Sequence, residues 1–100
     1  VAQGADRADL PDVLILQDDG RHPSATLRLL SELKSHPSSR HAAVCVVGPA
    51  GEGDEAAMAF DLGADDAVGR GVAAEELALR TRGLLRRKRQ ADRRRTLIQD

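Results

Sequence analysis

One hundred residues with 15 Lys+Arg against 16 Asp+Glu, one aromatic (Phe60) and one cysteine (Cys45) make a single small domain at most, its core built mainly from Leu, Val, Ile and Ala. One cysteine excludes a disulfide framework or a zinc site, no stretch reaches the length of a membrane span, and the start shows no signal-peptide pattern, so the chain reads as soluble and cytoplasmic. The net charge of −1 hides an asymmetry: residues 1–79 carry six Lys+Arg against fourteen Asp+Glu, and residues 80–100 carry nine against two.

Residues 1–10 are polar, Ala-rich and irregular, a fragment of helix at best. Pro11-Asp12-Val13-Leu14-Ile15-Leu16-Gln17 reads as a short strand buried on both faces, because four apolar residues, two of them β-branched, follow a proline and run into the polar turn Gln17-Asp18-Asp19-Gly20. Ser24 is the expected N-cap of a helix reaching about Ser35, with Leu27, Leu30 and Leu33/Lys34 along one side. The loop around Pro37 ends it.

A second buried strand spans Ala43 to Val47, where Cys45 reads as an inert core thiol. The turn Gly48 to Gly53 matches neither nucleotide fingerprint, and Glu52, Asp54 and Glu55 would repel a phosphate, so it reads as an ordinary loop. Asp54 to Leu62 has acids in its first turn and Gly63 just past its end, the start and stop signals of a helix. A short strand, Ala67 to Gly69, precedes a last helix from Ala74 to Gln99 interrupted only by Gly83. Strand and helix thus alternate three times. This predicts an α/β fold with one parallel sheet and helices on both faces.

The order and wording of these pieces resemble the receiver domains of two-component response regulators. The matching phrases are Pro11 to Leu16, Leu33-Lys34 followed by the Ser/Pro loop, Ala43 to Val47, Gly63-Ala64-Asp65-Asp66, Glu76-Leu77, and Leu84-Leu85-Arg86-Arg87-Lys88. The resemblance covers about residues 8–90 and implies the CheY-like (flavodoxin-like) fold from its second helix onward. The first strands of that fold, and the acidic pair that holds magnesium in the family, find no match in residues 1–10. It implies a degenerate receiver over residues 1–88 and a basic linker helix over 89–100 toward an output domain. Val13–Leu16 would then be an apolar edge that recruits another strand.

The family phosphorylates an aspartate at the end of its third strand, with a hydroxyl residue and a lysine nearby. At the matching positions stand Gln17, Gly48 and Arg70, with Gly71 in place of the family's proline and Ala67 in place of its switch aromatic. An amide is no phosphoacceptor and glycine offers no hydroxyl. Sliding the alignment by one residue makes Asp18 the alternative acceptor; its plainer reading, with Asp19, is a solvated acidic turn. The resemblance therefore implies a non-phosphorylatable adaptor, close to the second receiver of PleD-like diguanylate cyclases, with no catalytic residues, metal or cofactor of its own. A homodimer or neighbouring receiver and output domains would be its partners. The alternatives are a phosphorylatable receiver using Asp18 and a basic-tailed nucleic-acid-binding module.

His22, His36 and His41 sit in separate loops without ligand spacing and read as surface residues. The run Arg86-Arg87-Lys88-Arg89 and Arg93-Arg94-Arg95 has no aromatic near it. A solvated helix, or one lying on the acidic body, is expected ahead of nucleic-acid or membrane binding. The heptad series Leu77, Leu84, Ala91, Ile98 is flanked by Arg80, Arg87 and Arg94, a poor coiled coil by itself.

Overall fold

The computed structural model describes residues 11–48 and 53–99. The expectations for residues 1–10 and for the middle of the Gly48–Gly53 turn lie outside these. Six elements alternate along the chain: β1 (Val13–Gln17), α1 (Pro23–Ser35), β2 (Ala43–Gly48), α2 (Gly53–Asp61), β3 (Asp66–Gly69) and α3 (Ala74–Gln99). The strands form one parallel sheet in the order β1-β2-β3. Val13 pairs with Ala43 and Gln17 with Val47, while Gly48 pairs with Gly69, so the three strands end almost level.

Every residue of β2 is buried, as a central parallel strand with helices on both faces requires. Its side chains alternate between two cores. Val44 and Val46 join Leu30 of α1, Ala59 of α2 and Ala64, with Leu14, Leu16, Leu27 and Leu62 packed against them. Ala43, Cys45 and Val47 join Val68 and Leu84 of α3, with Val13, Val72 and Leu77 around them. α1 and α2 therefore cover one face and α3 the other. Among the described residues no strand pairs with the outer edge of β1, and Ile15 on the α3 face of that strand is 46% exposed.

The start of α1 differs from expectation. Its N-cap is His22, without a side-chain cap bond, and Pro23 occupies the first turn while Ser24 is already helical. A proline there loses nothing, since the first N–H groups of a helix are unpaired, and its fixed φ favours helix entry. Asp19 instead ties the turn that leads into the helix, its Oδ1 accepting the N–H groups of Arg21 at 2.8 Å and His22 at 3.0 Å. The stop after α2 is as expected. Gly63 takes φ +110°, a left-handed conformation that favours glycine, and Ala64 N–H returns to the Ala59 carbonyl at 3.0 Å.

α3 runs unbroken past Gly83 and through residues 88 and 89. Its 26 residues make a rod of about 39 Å at 1.5 Å per residue, close to the molecule's 43 Å long dimension. No described helix is long and apolar enough to cross a membrane.

Candidate functional site

In an open parallel sheet, groups beyond the carboxyl ends of the strands converge where no ladder partner remains, so that edge is where a site is sought. Three loops meet there: Asp18-Asp19-Gly20 after β1, Gly48 at the end of β2, and Arg70-Gly71 after β3. They bring together most of the positions singled out from the sequence. Ala67 lies inside β3, two ladder steps before its end at Gly69, opposite Val46.

The ladder does not stop at Gln17. Asp18 N–H donates to the Val47 carbonyl at 2.9 Å, so the hydrogen-bonded strand geometry reaches one residue further than the sequence suggested. Alternation then decides the two side chains. Residues 14 and 16 face α1 and α2, and Asp18 follows them inward, 3% exposed. Gln17 takes the other parity and is exposed. Asp18 is thus not the solvated turn residue expected; it is the buried carboxylate of the edge. Its Oδ1 accepts the Gly20 N–H at 2.6 Å, an Asx-type closure of the turn.

Asp19 keeps the solvated role. Besides its two backbone bonds it contacts His22 Nδ1 at 3.2 Å through Oδ2. The Arg21 N–H above all, and then the His22 ring and N–H, hold its carboxyl down to about 2.

Gly48 is buried and contributes backbone only, with Val46 Cγ1 3.9 Å from where a Cβ would stand. Arg70 is exposed, and its guanidinium lies over Gly20: a Cβ on Gly20 would overlap it. Gly20 has φ +81°, so this turn both needs glycine's backbone and leaves room for the arginine head. Gly71 stands in open space. Among the described residues the edge therefore holds one buried carboxylate tied to its own turn, the solvated carboxylate of Asp19, one exposed cation, an exposed amide and two glycines. Among the described residues no three His, Cys, Asp or Glu side chains converge to hold a metal, and the magnesium site that the receiver resemblance implies does not fit Asp18 and Asp19 alone.

The remaining sequence candidates are structural. Cys45 is fully buried, and burial, reinforced by the Asp66 carboxylate, pushes its thiol up, away from reactivity. His22 and His36 are exposed, His36 Nδ1 meeting the Ser38 hydroxyl at 2.7 Å.

Two constellations at the opposite edge escaped sequence reasoning. Asp65 Oδ2 accepts both the Val44 N–H at 2.7 Å and Lys34 Nζ at 3.0 Å, while Lys34 Nζ also reaches the Ala42 carbonyl at 2.8 Å. Asp66 and Glu76 share Arg80, raising its already high pKa first through the hydrogen bond to Asp66. Both acids belong to the phrase Gly63-Ala64-Asp65-Asp66. Two adjacent acids beside a short strand, with Lys34 on a neighbouring helix, were the available signal.

The chain matches no family model and none of the curated proteins.

Proposed function

We propose that the chain is a receiver-like adaptor that has kept the α/β scaffold and lost phosphoryl transfer, serving as a docking and dimerisation module of a response-regulator protein such as a PleD-like diguanylate cyclase. The observation that supports this reading is the chemistry of the carboxyl edge. A phosphoryl acceptor needs a free carboxylate, with donors and a cation held around the incoming oxygens. Here Gln17 presents an amide, Gly48 presents no side chain, the buried carboxylate of Asp18 is engaged by Gly20 N–H, and that of Asp19 by the Arg21 and His22 N–H groups. In this reading the outer edge of β1, with Ile15 exposed beside it, carries the dimer contact. α3 transmits its position to a following domain.

The test is incubation with acetyl phosphate or beryllofluoride and magnesium, followed by intact-mass measurement and amide spectra. No adduct and no spectral change are expected. A second reading has its own observation: Asp18 is the buried acid at a strand end, with the Arg70 head across the turn from it. A phosphoryl adduct abolished by Asp18→Asn and retained in Gln17→Ala would replace the adaptor reading with a phosphorylatable receiver.

A further inference from the structure

The sequence suggested that the basic helix lies on the acidic body, and only part of it does. Arg80 reaches Asp66 of the body, whereas Lys88 and Arg95 pair with Asp92 of the same helix. Those two cations together outweigh the effect of burial and hold the Asp92 carboxyl below its usual range. Arg82, Arg86, Arg87, Arg89, Arg93 and Arg94 are different. All six are exposed, and none has an ion pair or side-chain hydrogen bond among the described residues.

Their placement is ordered. At about 100° per residue, Arg82, Arg86, Arg89 and Arg93 form one row and Arg87 and Arg94 a second row about 120° around the helix. The gap between the rows holds Gly83 and Gln90. The opposite side of the helix carries Leu77, Leu84, Lys88 and Ala91, turned toward the sheet, and Arg87 of the second row borders the cavity that Leu84, Lys88 and Ala91 line. Like charges at i, i+3 and i+4 repel one another along the first row, so an anion that sits on this face relieves a standing cost.

We infer that the outward face of α3 from Arg82 to Arg94 docks on the phosphate backbone of a nucleic-acid duplex, through charge and without reading sequence. The face spans about 18 Å, with the four guanidiniums of the first row about 5.5 Å apart along the axis and the two of the second about 10.5 Å apart, so each row can meet phosphates of one strand, about 3.4 Å apart, at intervals. Two rows suit a groove with phosphates on both walls, and the major groove admits an α-helix. An acidic partner helix would meet a single seam and leave one row idle. A lipid surface would need apolar side chains within the face, and between Arg82 and Arg94 the face has none. Single strands are disfavoured by the lack of any aromatic to stack on. Glu75 and Glu76, on the same side of the first turn, bound the contact at its N-terminal end. The planar guanidinium can take phosphate oxygens in pairs, and the one lysine of this segment, Lys88, faces inward. This inference does not depend on the adaptor reading.

The test uses the full chain and a labelled duplex of about 20 base pairs, with affinity measured by fluorescence anisotropy between about 25 and 200 mM salt. The slope of log affinity against log salt should lie near −4 to −5, since each phosphate neutralised contributes about −0.9 and six arginines are present. Duplexes of unrelated sequence should bind within about threefold of one another. The pairs Arg82→Gln/Arg89→Gln and Arg87→Gln/Arg94→Gln should each flatten the slope by about 2, one per arginine removed. The body pair Arg28→Gln/Arg40→Gln should leave it unchanged, with circular dichroism showing that all variants keep their helix. Absence of binding at the lowest salt, a slope shallower than about −2, or equal flattening by the body pair would overturn the inference. Equal competition by helical polyglutamate would assign the face to an acidic protein instead, and equal competition by anionic vesicles would assign it to lipid; either result also overturns it.

Discussion

The two ends of the sheet use polar residues in opposite ways. At the amino edge, Lys34, Asp65 and the backbone of Ala42 and Val44 are bonded to one another, and Asp66 is held by Arg80 from α3. Charges there close the fold. At the carboxyl edge, Asp18 is satisfied only within its own turn, Arg70 reaches over Gly20 without an ion pair among the described residues, and Gly48 and Gly71 add no side chain. One end is committed to stability and the other is free of it. Substitutions at the two ends should therefore separate cleanly in their effects.

The scale for that contrast is set between the two ends, by the core. Leu30 is fully buried between α1 and the sheet, and Leu30→Ala should cost about 3 kcal/mol of unfolding free energy, measured by urea denaturation. Next in size comes the amino edge. Asp65→Ala leaves the buried Val44 N–H without its acceptor and takes one of two partners from Lys34, at a cost of about 2 kcal/mol. Asp65→Asn keeps an acceptor oxygen in place and should cost less than half of that. If the two variants are equally destabilised, the ionic contact with Lys34 matters more than the backbone bond, and the amino edge is an electrostatic rather than a hydrogen-bonded closure.

Why these features differ in legibility follows from their range. β1, β2 and α3 are announced by local signals: apolar runs too short for helices, and a breaker-free stretch after Gly71. The parallel sheet with helices on both faces follows from their alternation. Asp18 was read as a solvated turn residue because the pattern does not tell where a strand ends; one further ladder bond, Asp18 N–H to the Val47 carbonyl, extends the strand and turns Asp18 inward. Ser24 was misjudged because Pro23 beside it is an equally good start signal, and the acid that holds the entry turn sits three residues before the helix N-cap. The Lys34–Asp65 contact joins residues 31 apart in sequence, a distance over which pattern carries no information. The unpaired arginines lie at the opposite limit. Their rows are readable from helical spacing alone, but that no acid answers them needed the fold.

At the carboxyl edge the effects should be smaller. Gly20→Ala forces a side chain into φ +81° and should cost about 1 to 2 kcal/mol. The overlap with Arg70 adds little, because the overlapping atoms are the far end of a flexible, exposed side chain. Arg70→Ala should change stability by less than about 0.5 kcal/mol. The double variant should then be additive within about 0.5 kcal/mol. Strong coupling would mean that Arg70 is fixed over the turn, and the carboxyl edge would no longer be the uncommitted end.

The smallest effect concerns Asp19, and it reports which way the turn after β1 is held. Its carboxyl is depressed to about 2 by the Arg21 N–H first, with His22 adding through its ring and its N–H. A group whose folded pKa lies below its unfolded value stabilises the fold wherever it is ionised in both states, and that contribution disappears as pH falls through the folded value. For Asp19 the contribution is complete above the ordinary value of 3.8 and fades between there and about pH 2. Because the side chain is open to solvent, the effect is minor, and salt trims the His22 part of it without touching the backbone bonds. The expected observations are a carboxyl resonance of Asp19 titrating near pH 2 in high salt as in low, and a denaturation midpoint whose acid dependence between pH 4 and pH 2 is reduced in Asp19→Ala. A titration that moves to the ordinary carboxylate range when salt is added would mean that the His22 charge, rather than the turn's own amides, holds the entrance to α1.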